Sequence, residues 1–440
     1  MLLSFSFSNF HSFSEPVGFT MSAGSTRKHP SHIREINGVP VLKYSAVYGA
    51  NASGKSSFVN AIGAARNMVR GEPIGNYSEE HCRSDSTNRD KPTEFEFIFE
   101  TGGHVYQYGF NGVLASKEFQ SEWLLELSPD MKDGTLIYSL EKKDDEICAD
   151  WTYFKNEAES IRLNQIKSDS SSDDDEDEEE MDAPENYDTL FLSKMKGKKF
   201  TDLPNLDVLR TVYKWFVNKL RVNYIPSPTT DEEIATVCKY LARYDTDLMG
   251  GEFRFEADIS SKAPEDLKSR LKDGKPFAIG NGAKVIMENG AVNLYSIHTR
   301  HGSCDADFQI DEESNGTRLA MNVVYNLFCP KEDDATYIID EFGLAMHPLL
   351  VSAILSDYQE FNTDGSGQLI MATHHTSIMS LDALRRDEFW FIEKENGTSR
   401  MYSLEDFTER PDAEVAKRYF EGRYGALPVF TELRGTPEAS

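Results

Sequence analysis

The chain is short of basic residues, of cysteine and of long apolar runs. Of its 440 residues, 46 are Lys or Arg against 74 Asp or Glu, for a formal net charge of −28. A broad nucleic-acid footprint needs clustered cations, so this balance argues against one and leaves room only for a local basic stripe. The five cysteines (Cys82, Cys148, Cys238, Cys304 and Cys329) stand far apart, with no C-x-x-C pair. That is the usage of free thiols in a reducing cytosol, not of a disulfide or zinc framework. No stretch approaches the ~20 apolar residues of a membrane span, and the N-terminus lacks the basic start and apolar run of an export signal. A soluble, cytoplasmic protein without a membrane partner is expected. Neither an internal repeat nor a sustained heptad is present, which excludes a long coiled-coil arm.

Hydrophobic residues make up 39% and aromatics 11%, enough for a sizeable core. Leu3, Phe5 and Phe7 alternate with Ser4, Ser6 and Ser8, which predicts a half-buried strand. Val41 to Tyr48 reads as a second strand running into a glycine-rich loop, and Lys55 to about Val69 as a helix. Residues 94–127 read as a β-meander. Residues 168–185 hold eleven acidic residues and no basic one, a run that repels itself and is expected to form a disordered loop. Asp207 is placed to cap a helix bearing Leu209, Val212, Trp215, Phe216 and Leu220, and a further helix carries Ile234, Val237, Leu241 and Tyr244. Asn289-Gly290 and Asn396-Gly397 mark hairpin turns.

The strongest chemical signal is Gly49-Ala50-Asn51-Ala52-Ser53-Gly54-Lys55-Ser56, followed by Ser57. It fits G-x-x-x-x-G-K-[ST] and sits between a predicted strand and a predicted helix, as the motif requires. Glycines let backbone N–H groups wrap phosphate oxygens, and the helix N-terminus adds its dipole. Lys55 is expected to reach the β- and γ-phosphates and the Ser56 hydroxyl to ligate Mg²⁺. Asp340-Glu341 ends the apolar strand Tyr337-Ile338-Ile339. This placement suits a metal-orienting Asp340 and a water-polarising Glu341, although a strand-end pair can also be a simple helix cap. His374 follows the strand around Leu369–Met371, where it could sense the γ-phosphate; a surface histidine is the bland alternative. Ser314-Asn315-Gly316 opens a helix with Leu319, Val323, Val324 and Leu327 on one face. Ser314 is a good N-cap, and Ser and Gly at a free helix start also make an anion site.

The order P-loop, long insertion, Ser-x-Gly-Thr helix start, Asp-Glu strand end and strand-then-His resembles the ABC-type ATPase head of the SMC and RecF group. Asn9-Phe10-His11-Ser12-Phe13 is similar to that group's N-F-[RK]-S-F start, with His in place of the basic residue. Glu313 to Thr317, His347-Pro348, Thr373 to Ser377 and Gly422-Arg423-Tyr424-Gly425-Ala426 resemble stand-alone ATPases of bacterial anti-phage defence, a group that includes the ATPase subunit of the PARIS system. The resemblance covers about 1–127 and 300–430. Departures from it are Asn315 in place of a common glycine and the lack of a placeable Q-loop glutamine, Gln107 and Gln120 being the nearest guesses.

The resemblance implies an α/β fold: a P-loop ABC-type ATPase head with a mixed sheet plus an α+β insertion domain. Residues 1–127 would form the N-terminal part of the head with Walker A, and 128–300 the insertion, comprising the acidic loop 168–185 and a helical and hairpin part at 188–300. Residues 301–440 would carry signature, Walker B and His switch. The implied cofactors are ATP and Mg²⁺, with Glu341 and His374 catalytic and Ser56 and Asp340 on the metal. Residues Gly49, Ala50, Asn51, Ala52, Ser53, Gly54, Lys55, Ser56 and Ser57 would hold the nucleotide from one side, and Ser314, Asn315 and Gly316 of a second copy from the other. The implied partners are a second copy in a head-to-tail dimer or larger assembly, a separate effector such as a nuclease, and a phage-derived trigger protein. A RecF-like ATPase acting directly on DNA in repair is the alternative, with Lys194 to Lys199 as its candidate basic patch. A Ras-like GTPase is disfavoured because no Asn-Lys-x-Asp motif is present.

Overall fold

The computed structural model describes residues 1–129, 131–144, 146–168, 187–200, 202–223, 228–244, 247–280, 282–302, 306–329, 334–408 and 414–428. The acidic run, apart from Ser168, and Cys304 lie outside the described residues. Among those described, Cys82, Cys148, Cys238 and Cys329 are free thiols. No helix among them is long and apolar enough to cross a membrane.

The organising element is a six-stranded sheet in the order 220–222, 336–339, 368–372, 44–48, 389–395 and 398–403. The first five strands are parallel and the last is antiparallel. Tyr44–Tyr48 is buried at all five positions, the signature of a parallel strand covered on both faces. Its side chains alternate between two cores. Val47 joins Ile338, Ile370, Ala372, Trp390 and Ile392 on one face, packed with Phe58, Val59 and Ile62 of the helix Lys55–Val69. Ala46 and Tyr48 join Tyr337, Leu369, Met371, Phe389 and Phe391 on the other, packed with the helices Asn315–Phe328 and Pro348–Phe361. Each such fully buried aliphatic or aromatic side chain contributes about 1.5–3 kcal/mol, so the strand is fixed from both faces at once.

The first core continues into an antiparallel seven-stranded sheet in the order 146–150, 134–143, 118–127, 104–113, 93–101, 2–8 and 17–20. Phe5 pairs with Phe97 and Phe7 with Phe95 across it, so the serine and phenylalanine alternation of 3–8 becomes one buried and one half-buried face. The sheet runs on past residue 127: strand 118–127 pairs with 134–143 and that with 146–150. Strand 220–222 belongs to the parallel sheet. Within 128–300, therefore, only the later part builds a sheet of its own, four antiparallel strands that 307–309 joins as a fifth, covered by the helix Asp231–Leu241. The Asn289-Gly290 turn of that sheet has both residues at positive φ, as a type I′ hairpin demands.

Two local expectations are corrected. The strand expected over 41–48 is two strands, Val39–Leu42 and Tyr44–Tyr48, because Lys43 between them turns its buried ammonium onto the carbonyls of Asn362 and Thr363. Asp207 is not a cap: Leu206, which ends a short 3-10 turn, holds the N-cap position, and Asp207 is the first helical residue, where its charge still favours the dipole.

Candidate functional site

The strand 44–48 has the strand 368–372 on one side and 389–395 on the other, and the chain crosses over it between them. Open α/β sheets bind ligands outside the carboxyl ends of their strands at such a switch point. The predicted chemistry lies there: the P-loop after 44–48, Thr373 and His374 after 368–372, and Asp340-Glu341 after the next strand, 336–339.

Sterics fix the P-loop. A Cβ on Gly49 would lie 2.4 Å from the Ile392 carbonyl oxygen, and one on Gly54 would lie 2.6 Å from Ser399 Oγ, at φ +121°. Ser53 N–H donates to the Ala50 carbonyl at 3.2 Å, closing the loop over Asn51 and Ala52, the latter at φ +60°. Gly54 occupies the N-cap of the helix Lys55–Val69 and supplies no side-chain cap. The first-turn N–H groups therefore have no protein acceptor from a capping side chain, which is the arrangement that binds phosphate. Ser53 Oγ, buried and partnerless among the described residues, adds another donor. Lys55 is buried and folds its ammonium back onto the carbonyls of Gly49 (2.9 Å) and Ala50 (3.0 Å). Burial pulls its pKa down to about 8, against the pull of Asp340 and Glu341. A polyphosphate supplies the countercharge this cation lacks, so the donor set fits the β- and γ-phosphates of a nucleotide.

Asp340 and Glu341 are held by backbone geometry. The Asp340 N–H donates to Asn223 Oδ1 at 2.8 Å, and the Glu341 N–H to Asp340 Oδ1 at 3.0 Å. Glu341 has φ +53°, a left-handed conformation that costs a residue with a Cβ energy and that clusters at functional sites. Its side chain is exposed. The ring of His374 is exposed and has no hydrogen-bond partner among the described residues. Its pKa is lowered, first by desolvation and then by Lys55, while Asp340 pulls the other way. His374 thus shares one field with the P-loop lysine and the strand-end acid. His375 is committed elsewhere, its Nε2 lying 2.7 Å from the Gly343 carbonyl. No group of three or more His, Cys, Asp or Glu with metal-holding geometry occurs among the described residues. Mg²⁺ at phosphate sites takes one or two protein oxygens plus substrate oxygens, which suits Ser56 and Asp340.

Ser314 caps the helix Asn315–Phe328 through Thr317 N–H at 3.1 Å, and Ser314 and Asn315 are exposed. None of the described hydrogen bonds links 314–316 to the P-loop of the same chain. Gly316 instead packs on the segment after Glu341: a Cβ there would lie 2.6 Å from the Ala345 carbonyl. Gln107 bonds Glu96 within the antiparallel sheet and takes no part in the site.

Three contributors had no clear signal in the sequence. Ser399 Oγ lies 2.6 Å from the Ser53 carbonyl and 2.7 Å from Ser12 Oγ, which lies 3.2 Å from Ser57 Oγ. A hydroxyl has one proton, so these contacts order as Ser57 to Ser12 to Ser399 to the Ser53 carbonyl. Ser12 lies in the N-F-H-S-F start, which hints at it; Ser399 and Asn223 carry no motif. His11, at the basic position of that start, pairs with Glu80.

Among solved structures, the Smc head bound to the C-winged helix domain of ScpA is 14% identical over 92% of this chain and 98% of that chain, with TM-score 0.43. The SMC head domain from Thermotoga maritima is 12% identical over 91% and 98%, with TM-score 0.40. No curated protein sequence matches the chain. The family profile described as "AAA domain, putative AbiEii toxin, Type IV TA system" matches residues 45–380, a span that opens in the P-loop strand and takes in Asp340, Glu341 and His374. By that match over most of its length, the chain belongs to this AAA-domain family.

Proposed function

We propose that the chain is an ATP-binding and ATP-hydrolysing switch of a bacterial anti-phage defence system, of the kind that includes the PARIS ATPase subunit, and that it controls a separate toxic effector. The observation that carries the ATPase reading is the convergence of Lys55, Asp340, Glu341 and His374 at the carboxyl ends of three adjacent parallel strands. Membership of a family described by an abortive-infection toxin supports the defence context.

The first-turn N–H groups of the helix at Lys55 and the Lys55 ammonium would hold the β- and γ-phosphates. Ser56 and Asp340 would hold Mg²⁺, which when bound supplies Lewis-acid stabilisation of charge on the phosphate oxygens. Glu341, exposed at the strand end, would orient the attacking water and take its proton. His374, whose pKa is lowered by desolvation and by Lys55, would donate a hydrogen bond to the transferring phosphoryl group. Ser314, Asn315 and Gly316 make no described hydrogen bond to their own P-loop and would close the nucleotide site of a second copy. Turnover would then change an assembly, and its output would be a conformation.

The test is size exclusion with light scattering in ATP–Mg²⁺. Glu341→Gln should lock a dimer or larger assembly that Lys55→Ala cannot form. If nucleotide and both variants leave the mass unchanged, ATP-driven association is wrong. The DNA-repair alternative predicts tight DNA binding that weakens steeply with salt, which the net charge of −28 opposes.

A further inference from the structure

We propose that Glu313 is a positioning residue for the turn 314–316, tying it to the strand 291–301 through Thr299 and His301, a role that rests on the reading of that turn as the closing side of a second copy's nucleotide site. Glu313 opens the segment Glu313-Ser314-Asn315-Gly316-Thr317, yet the chemistry above gives it no part. It stands before the N-cap Ser314, so it neither caps the helix Asn315–Phe328 nor lies in its first turn. Its side chain turns back into the fold and is buried. A buried carboxylate is costly unless it is hydrogen-bonded. Two groups meet this one, both from strand 291–301. The buried Thr299 hydroxyl donates to Glu313 Oε1, and His301 Nε2 lies 2.7 Å from the same oxygen.

The connection between these partners is short. Strand 307–309 pairs with the end of strand 291–301, with Thr299 opposite Phe308, and a single 3-10 turn at 310–312 leads into Glu313. Beyond Glu313, the described hydrogen bonds of Ser314, Asn315 and Gly316 go only to Thr317 and Arg318. Ala320, Met321 and Val324 seat the body of the helix in the second core. No described hydrogen bond carries the turn itself to the rest of the chain; the Glu313 carboxylate, one residue ahead, does so in its place.

The strand that holds Glu313 is itself tied to the head. Ile297 shares the second core with Ile234, Val237 and Cys238 of the helix Asp231–Leu241 and with Ala320 and Val324. Tyr325 Oη donates to Glu233 Oε1 at 3.2 Å, which joins that helix to the one behind the turn. Just past it, Tyr244 Oη donates to Asp357 Oδ2 at 2.7 Å, on the helix Pro348–Phe361 that follows Glu341. A shift of strand 291–301 is thus passed to Ser314 through one carboxylate. Alanine at 313 removes both contacts. Glutamine keeps them, because its carbonyl accepts from one partner while a hydroxyl or a neutral imidazole can accept from its amide.

The experiment compares the full chain with its Glu313→Ala, Glu313→Gln and His301→Ala variants. It reads ATP turnover, calorimetric titration of a slowly hydrolysed ATP analogue, and amide exchange. The His301 side chain is 24% exposed, so its truncation opens no core. Turnover should fall about tenfold or more in Glu313→Ala and about threefold in His301→Ala, which keeps the Thr299 contact, while analogue affinity stays within about twofold because each P-loop is intact. Glu313→Gln should keep turnover within about twofold of wild type. Exchange at Thr317 and Arg318 should rise in both alanine variants, while exchange at 58–62, behind the P-loop, does not change. A merely structural role would lower affinity with turnover and raise exchange in both places together, and that result overturns the proposal. Wild-type turnover and wild-type exchange in His301→Ala overturn it as well. If the wild-type chain neither binds the analogue nor hydrolyses ATP, the switch reading fails, and exchange at Thr317 and Arg318 in His301→Ala then upholds or overturns the tie by itself.

Discussion

The serine chain makes the most specific claim about how the P-loop is held. Ser399→Ala deletes the donor 2.6 Å from the buried Ser53 carbonyl and the acceptor 2.7 Å from Ser12 Oγ. One net hydrogen bond is worth about 1 kcal/mol, and a buried carbonyl left without its donor adds a comparable penalty, so the loss is about 1.5–3 kcal/mol. If the loop is competent only when so held, ATP affinity should fall by about 10- to 100-fold, since 1.4 kcal/mol is tenfold. Ser12→Ala should cost less, because Ser399 keeps its bond to the Ser53 carbonyl. The two serines are in contact, so the double variant should fall short of additivity by about 0.5–1.5 kcal/mol. Calorimetric titration of a slowly hydrolysed ATP analogue into all four proteins measures this directly, with urea midpoints separating local from global effects. Affinity within twofold of wild type for Ser399→Ala, with strictly additive singles, would refute the reasoning.

Four further outcomes follow from the structure. Lys55, held to about pKa 8 without nucleotide, must be charged to grip phosphate, so ATP affinity should be flat below pH 8 and weaken by up to about tenfold per unit above it; Lys55→Arg should flatten that profile. Glu341→Gly should abolish turnover yet raise the urea midpoint relative to Glu341→Ala, by about 1 kcal/mol, because glycine accepts φ +53° without strain. Glu122 is fully buried and accepts from Tyr108, Tyr138, Tyr187 and the N–H groups of Phe191 and Leu192; Glu122→Gln turns an amide donor toward these donors and should cost about 2–4 kcal/mol, with amide exchange at 187–195 rising first. Gly316→Ala drives a methyl to 2.6 Å from the Ala345 carbonyl and should destabilise by about 1–3 kcal/mol, read as a lowered Tm.

Fold class, and the place in the fold of most candidate site residues, were legible because they rest on local rules. A loop that must wrap phosphate needs Gly49 and Gly54 at fixed spacing, and a strand buried on both faces needs the run Tyr337-Ile338-Ile339 before Asp340. The helix starting at Asn315 was legible because Ser314 is a cap with a mechanism. Local rules failed where a long-range partner decided the matter. The strand 41–48 broke because Lys43 found carbonyls some 320 residues away at Asn362 and Thr363. The meander expected to end near 127 continued because strand 118–127 had a free edge for 134–143.

The sequence by itself determined which groups could do chemistry: a cation, two acids and a histidine, each placed just past an apolar strand or at a helix start, where backbone N–H groups and strand ends expose them. Only the tertiary structure decided the order of strands, and with it that Lys55, Asp340 and His374 share one field. It alone brought Ser12 and Ser399, 387 residues apart, onto the same loop. The physical reason is that spacing along a chain encodes helix, strand and turn through short-range sterics, whereas strand order and side-chain partnership depend on which buried faces find each other.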